Sequence, residues 1–125
     1  HFVGFGSVGE FAGGFPGYCA NLPKDCAPLP RILRDNGYST AAFGKWHLTP
    51  DGQQGPAGPF DRWPTGLGFD YFYGINASLD MPPYIFLKNN KAVTIPTVKK
   101  KTFGQRVGLA DKDLEPEHFL PAFTQ

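Results

Sequence analysis

The sequence carries almost no net charge, little sulfur and no long apolar run, and each shortage removes a class of function. A formal net charge of +1 supplies no field to draw in nucleic acid or an anionic membrane, because such binding needs several clustered cations facing phosphate. The one basic cluster is Lys99-Lys100-Lys101. With no aromatic side chains interleaved it reads as a solvated loop, ahead of the alternative of an anion-binding patch. No stretch approaches the roughly 18 consecutive apolar residues a spanning helix needs, and no charged start precedes an apolar core as in a signal peptide. The cysteines, Cys19 and Cys26, are too few for a zinc site, and their spacing is not the two-residue gap of redox or zinc knuckles. They read as free, partly buried thiols, with a disulfide between them as the alternative. The chain starts at His1 rather than Met and stops at Gln125 inside what reads as a new element, so both ends read as truncated.

What is present is enough for one core: 41% of residues are hydrophobic and 15% aromatic, which excludes a disordered chain. The 16 glycines and 13 prolines predict a loop-rich piece with few long elements. Residues 1–23 form a glycine-broken aromatic stretch with no helical or strand period, read as an extended loop packed by its Phe and Tyr side chains. From Pro28 to Asn36 the spacing of Leu29, Ile32 and Leu33, with prolines at the start and Gly37 just past the end, predicts a short amphipathic helix closed by a left-handed glycine. Tyr38 to Phe43 then reads as a strand buried on both faces, so that helix, glycine turn and strand make half of an α/β unit. Thr49 to Gly68 is a long turn-rich loop. Phe69 to Tyr73 is a short aromatic strand. Tyr84 to Lys88, Asn89-Asn90 and Lys91 to Ile95 form a β-hairpin, since Asn tolerates positive φ. After Asp111, Leu114, His118 and Leu120 suggest a loop running into a helix.

The chemistry-bearing candidates lie in Gly44-Lys45-Trp46-His47-Leu48, at the carboxyl end of the expected strand, where loops of open α/β sheets converge on a crevice. If the extended backbone continues, Lys45 and His47 point the same way and Trp46 the other. A compact cation beside an imidazole suits an anionic ester whose leaving group needs a proton. From spacing alone Lys-x-His is a weak signal, and a lone His is more often a structural hydrogen-bonder.

The run from Asn36 to Leu48, Asn-Gly-Tyr-Ser-Thr-Ala-Ala-Phe-Gly-Lys-Trp-His-Leu, resembles the second signature of the sulfatases. Gly66-Leu-Gly-Phe-Asp-Tyr-Phe-Tyr-Gly is similar to that family's aromatic strand, and Ala77-Ser-Leu-Asp-Met-Pro-Pro-Tyr to the loop after it. Together these cover most of residues 28–95, and the glycine-rich start is similar to bacterial arylsulfatase-like sequences. The resemblance implies an alkaline-phosphatase-like α/β fold: a mixed, mostly parallel sheet sandwiched by helices, of which residues 1–125 would be a loop-rich fragment of the catalytic domain with one helix, one central strand and a β-hairpin. It also implies that Lys45 contacts the substrate sulfate, that His47 hydrogen-bonds a hydrated formylglycine nucleophile, and that Ser78 lies near the sulfate. Ser78 read as an ordinary loop hydroxyl stays open beside this.

The activity implied is hydrolysis of a sulfuric ester, an aryl sulfate or a sulfated carbohydrate, by a periplasmic or extracellular enzyme. Its partner is then a small-molecule or glycan sulfate ester, with no nucleic acid and no membrane span. The family's cofactor, Ca2+ or Mg2+, would take ligands outside these residues. The nucleophile pattern Cys-x-(Pro or Ala)-x-Arg is not here: after Cys26, Pro28 stands at the second place but Pro30 occupies the fourth, so Cys26 reads as structural. Asp25, Asp35, Asp51, Asp61, Asp70 and Asp80 read as caps, turn formers and surface groups, and His118 as structural or solvent-facing. Asn76-Ala77-Ser78 also has the form of a glycosylation sequon. The alternatives are a phosphonate or phosphodiester hydrolase of the same superfamily, or a non-catalytic structural piece. Taken by itself, the chain is expected to expose sheet edges and apolar faces.

Overall fold

The structure, a computed structural model, describes residues 22–48, 61–79, 81–101, 106–115 and 117. The first element is helix α1, Leu29–Asp35. Pro28 caps it in extended geometry, and Pro30 falls in the first turn, where a missing N–H forfeits no helical bond. Arg31 and Asp35, one turn apart, close a salt bridge at 2.9 Å. Gly37, at φ 85, takes the left-handed step that ends the helix, a backbone region in which a side chain would be strained. The expected amphipathic helix is thus present, but no residue in it is fully buried, and its apolar Leu29 and Ile32 are exposed.

Strand β1 is Ala41–Lys45 and strand β2 is Tyr71–Ile75. They pair in parallel, from Ala41 opposite Tyr71 to Lys45 opposite Ile75. Both expected strands lie further along the chain than their composition suggested, because Thr40 and Asp70 form a clamp that fixes where pairing begins. The Thr40 N–H and hydroxyl donate to the Asp70 carboxylate at 2.9 and 3.1 Å, and the Asp70 N–H donates to the Thr40 hydroxyl at 3.1 Å. Strands β3, Leu87–Lys88, and β4, Lys91–Ala92, add antiparallel to give the order β1-β2-β3-β4. Asn89, at φ 56, turns the hairpin as expected, though the ladder is shorter than Tyr84–Ile95. The result is a mixed sheet in an α/β fold. Among the described residues β1 lies at the edge of this sheet, so the expectation of a strand buried on both faces is corrected: Phe43 is 62% exposed.

Side-chain alternation along β2 sends Phe72 and Ile75 to opposite faces, and each anchors a core. Phe72 packs with Trp63, Ile85 and Leu87, flanked by Ala42, Trp46 and Ala92. Ile75 packs with Tyr84, Ala110 and Leu114. Trp63 and Leu67 are buried, so the end of the expected surface loop is core, organised by a 3-10 turn at Pro64–Leu67. Fully burying a side chain of this size contributes about 1.5–3 kcal/mol.

The lysine run is a strand and not the expected loop. β5, Val98–Lys101, pairs antiparallel with β6, Val107–Ala110, as a separate two-stranded ribbon. Composition hid it because Lys is a poor strand former by propensity, whereas the ribbon is fixed by packing of its inner face. Of the expected late helix only Glu117, in a 3-10 turn, is described, and His118 and Leu120 lie outside the described residues.

Candidate functional site

The site candidates sit where β1 and β2 end together. Pairing runs two residues past Lys45: the Trp46 N–H donates to the Ile75 carbonyl at 3.0 Å and the His47 N–H to the Asn76 carbonyl at 2.8 Å. This stitches Lys45-Trp46-His47 alongside Ile75-Asn76, with Ser78 following on the same connection. The parallel register therefore brings Lys45 and His47 alongside Ile75 and Asn76 at the carboxyl edge of the pair, and Ser78 lies two residues beyond Asn76 in the chain.

The expectation that extended backbone would carry Lys45 and His47 in one direction is corrected in part. His47 has φ 58, in the left-handed region, so the alternation stops before it. Histidine is among the few residues other than glycine enriched there. Lys45 continues the exposed row of Ala41 and Phe43, and His47 is half-buried. Trp46 does turn to the other side, as expected: its indole meets the rings of Phe69 and Phe72 edge-on, with centroids 6.2 and 6.4 Å apart. That packing fixes the residue between the two candidates and limits how far the Lys45-to-His47 segment can move.

Sequence reasoning missed two features of this edge. The first is the pair Gly44 and Gly74, directly opposite each other; a Cβ on Gly74 would come within 1.9 Å of the Gly44 carbonyl oxygen, so only glycine lets the strands approach. The second is Asn76, noticed in the sequence only as part of a sequon. Its side chain is 5% exposed, which withholds it from glycosylation in the folded chain. Asn76 Oδ1 and Trp46 Nε1 are both buried without a hydrogen-bond partner among the described residues. Each such orphan costs on the order of 1–3 kcal/mol.

The carboxylates are engaged elsewhere. Asp35 pairs with Arg31, Asp70 holds Thr40, and Asp111, through Oδ1, accepts the Asp113 N–H in a turn. Asp51, Asp80, Cys19 and His118 lie outside the described residues, and with Cys19 goes the question of a disulfide. Cys26 is half-buried and free. Among the described residues no group of three or more His, Cys, Asp or Glu is assembled to hold a metal ion.

Comparison with known proteins follows the same stretch of chain. The sulfatase family model matches residues 2–114. Human steryl-sulfatase is 40% identical over 62 residues, covering 50% of this chain and 10% of the relative. N-acetylgalactosamine-6-O-sulfatase from Bacteroides thetaiotaomicron is 34% identical over 70 residues, 54% of this chain and 14% of the relative. Mouse arylsulfatase G is 45% identical over 60 residues, 48% of this chain and 10% of the relative. A solved sulfatase structure from work on glycosaminoglycan metabolism by Bacteroides thetaiotaomicron superposes with a TM-score of 0.50 at 33% identity, over 57% of this chain and 15% of that one. The chain thus spans roughly a tenth to a seventh of the length of these curated relatives.

Proposed function

The chain belongs to the sulfatase family, and from that premise we propose that Lys45 and His47 form part of the anion-binding edge of a sulfuric ester hydrolase. The observation that carries this reading is the stitched end of the β1-β2 pair, which holds a cation and an imidazole two residues apart at one sheet edge. A sulfate monoester presents oxygens that gain negative charge as the sulfur–oxygen bond to the alcohol breaks. The exposed Lys45 ammonium supplies a fixed positive charge to those oxygens, and such preorganised charge is the largest single source of rate gain in many hydrolases. His47, half-buried with its backbone held by Asn76, is suited to hold or pass a proton to a nucleophile or a departing alcohol. Ser78, two residues beyond Asn76 in the chain, adds a hydroxyl.

The remaining parts of the reaction are proposals supported by family membership. They are a formylglycine nucleophile and a Ca2+ or Mg2+ ion held by residues other than those described, and an aryl sulfate or sulfated carbohydrate as substrate. A periplasmic or extracellular location is supported in the same way; among the described residues no helix is long and apolar enough to cross a membrane. The test is turnover of 4-nitrophenyl sulfate by the full-length protein. Lys45→Ala and His47→Ala should each lower kcat by about a hundredfold or more, as loss of an oxyanion or acid–base partner does. Near-wild-type turnover in both variants would remove the assignment.

A further inference from the structure

Positive charge in this chain is concentrated where the overall balance hides it. Between Asp80 and Asp111 there is no acidic residue, yet that window holds Lys88, Lys91, Lys99, Lys100, Lys101 and Arg106, half of the chain's 12 Lys and Arg. Four of these six fall on the β5-β6 ribbon and the residue preceding β6.

The ribbon sorts them by face. Val98 pairs with Ala110 and Lys100 with Gly108, while Lys99 pairs with Leu109 and Lys101 with Val107. The first set points inward. Val98 and Ala110 join the core built on Ile75, and Gly108 lies so close to Pro82 that a Cβ would come within 2.0 Å of the ring. Lys100 Nζ donates to the Leu114 carbonyl at 2.7 Å and to the Glu115 carboxylate at 2.8 Å, so its charge is spent internally. The second set, Lys99, Lys101, Val107 and Leu109, is exposed throughout, with Val107 at 61% and Leu109 at 44%. Alternate residues on one strand face stand about 6.5–7 Å apart, inside one Debye length of about 10 Å at 0.1 M salt, so the two lysines act as one patch. The ribbon is held in place by the Tyr84 hydroxyl, which donates to the Arg106 carbonyl at 2.9 Å, and by the Tyr84 N–H on the Leu109 carbonyl at 2.8 Å. The ribbon's inner face packs on Ile75, the residue opposite Lys45, and the patch lies on its opposite, outer face.

We propose that the outer face of the β5-β6 ribbon, through Lys99 and Lys101 over Val107 and Leu109, binds the polyanionic extension of a sulfated glycan. This deepens the hydrolase reading and rests on it for the identity of the substrate. The face fits such a ligand because two exposed cations, without an ion pair among the described residues, meet repeating sulfates at fixed spacing, while the two aliphatic side chains accept the apolar faces of sugar rings. A monosulfated aryl ester is too short to use it.

The test measures binding of a size-defined heparin dodecasaccharide to the full-length protein across a salt series, beside hydrolysis of 4-nitrophenyl sulfate. Lys99→Gln with Lys101→Gln should weaken heparin binding at least fivefold at low salt and flatten the dependence of log affinity on log salt by about one to two, one counterion-releasing contact being lost per lysine. Turnover of the aryl ester should not change. Lys99→Arg with Lys101→Arg should keep the affinity, and Lys88→Gln with Lys91→Gln, on the other hairpin, should leave it within twofold. Heparin affinity within twofold of wild type in the Lys99 and Lys101 double Gln variant overturns the proposal, as does tighter binding of a 20-nucleotide oligothymidylate than of heparin. Wild-type protein that binds heparin through these lysines but hydrolyses no sulfate ester leaves the patch standing and strikes the hydrolase reading alone.

Discussion

At the scale of single residues, His47 combines a strained backbone with the most reactive side chain of the edge. Its φ of 58 is tolerated by Asn nearly as well as by His and poorly by β-branched residues. His47→Asn should therefore keep folding stability within about 0.5 kcal/mol while abolishing most turnover, whereas His47→Val should cost about 1–2 kcal/mol in addition. Thermal unfolding measured beside kcat separates the two effects. Trp46 offers a second case. Trp46→Phe retains ring contacts with Phe69 and Phe72 and deletes an indole N–H that has no partner among the described residues. Stability should be unchanged or up to about 1 kcal/mol higher. A loss above about 2 kcal/mol would mean that the N–H is bonded in the full-length protein. Lys45 and His47 could be nominated as candidates from the sequence because they lie in a stretch that resembles a family signature. Asn76 was not, because burial of a polar side chain depends on which segments cover it.

At the scale of elements, the paired glycines decide how closely β1 and β2 approach. Gly74→Ala would drive a methyl group onto the Gly44 carbonyl oxygen, forcing apart the edge that carries the candidates, and should cost at least 2 kcal/mol with a matching loss of activity. Gly44→Ala meets nothing within 4 Å but sits at φ 109, so its cost is backbone strain alone, about 1–2 kcal/mol. Chemical denaturation of the two variants should rank them in that order. The clamp at the other end of the pair predicts a third loss: Asp70→Ala leaves the Thr40 N–H without its acceptor, while the Thr40 hydroxyl keeps the Gly68 carbonyl, and should cost about 1–3 kcal/mol. Helix α1 and the Asn89-Asn90 turn were readable locally, since proline, glycine and asparagine carry their backbone preference with them. The shift of β1 and β2 along the chain was not, because the Thr40–Asp70 clamp joins residues 30 positions apart.

At the scale of the whole molecule, several large apolar side chains on α1, on β1 and between them are exposed among the described residues. Leu29, Ile32, Tyr38 and Phe43 are all exposed, and the Phe43 ring lies 5.7 Å from that of Tyr71. Exposed apolar surface of this kind drives association. Residues 1–125 produced by themselves should sediment as concentration-dependent oligomers and bind a hydrophobic dye. Leu29→Gln with Phe43→Thr should reduce both, and a monodisperse monomer of the unmodified chain would contradict the expectation.

The sequence by itself determined the α/β class, the helix with its glycine stop, the asparagine hairpin and the family, and it nominated Lys45 and His47 as candidates. These follow from signals that sit within a few neighbouring positions. Only the tertiary structure decided that Lys45 and His47 end beside Ile75 and Asn76, that the strand bearing Lys45 is open on one face, and that a run of lysines is a ribbon with one inward and two outward cations. Register and burial arise from pairing between distant segments, and a side chain's surroundings are set by what folds against it rather than by what precedes it in the chain.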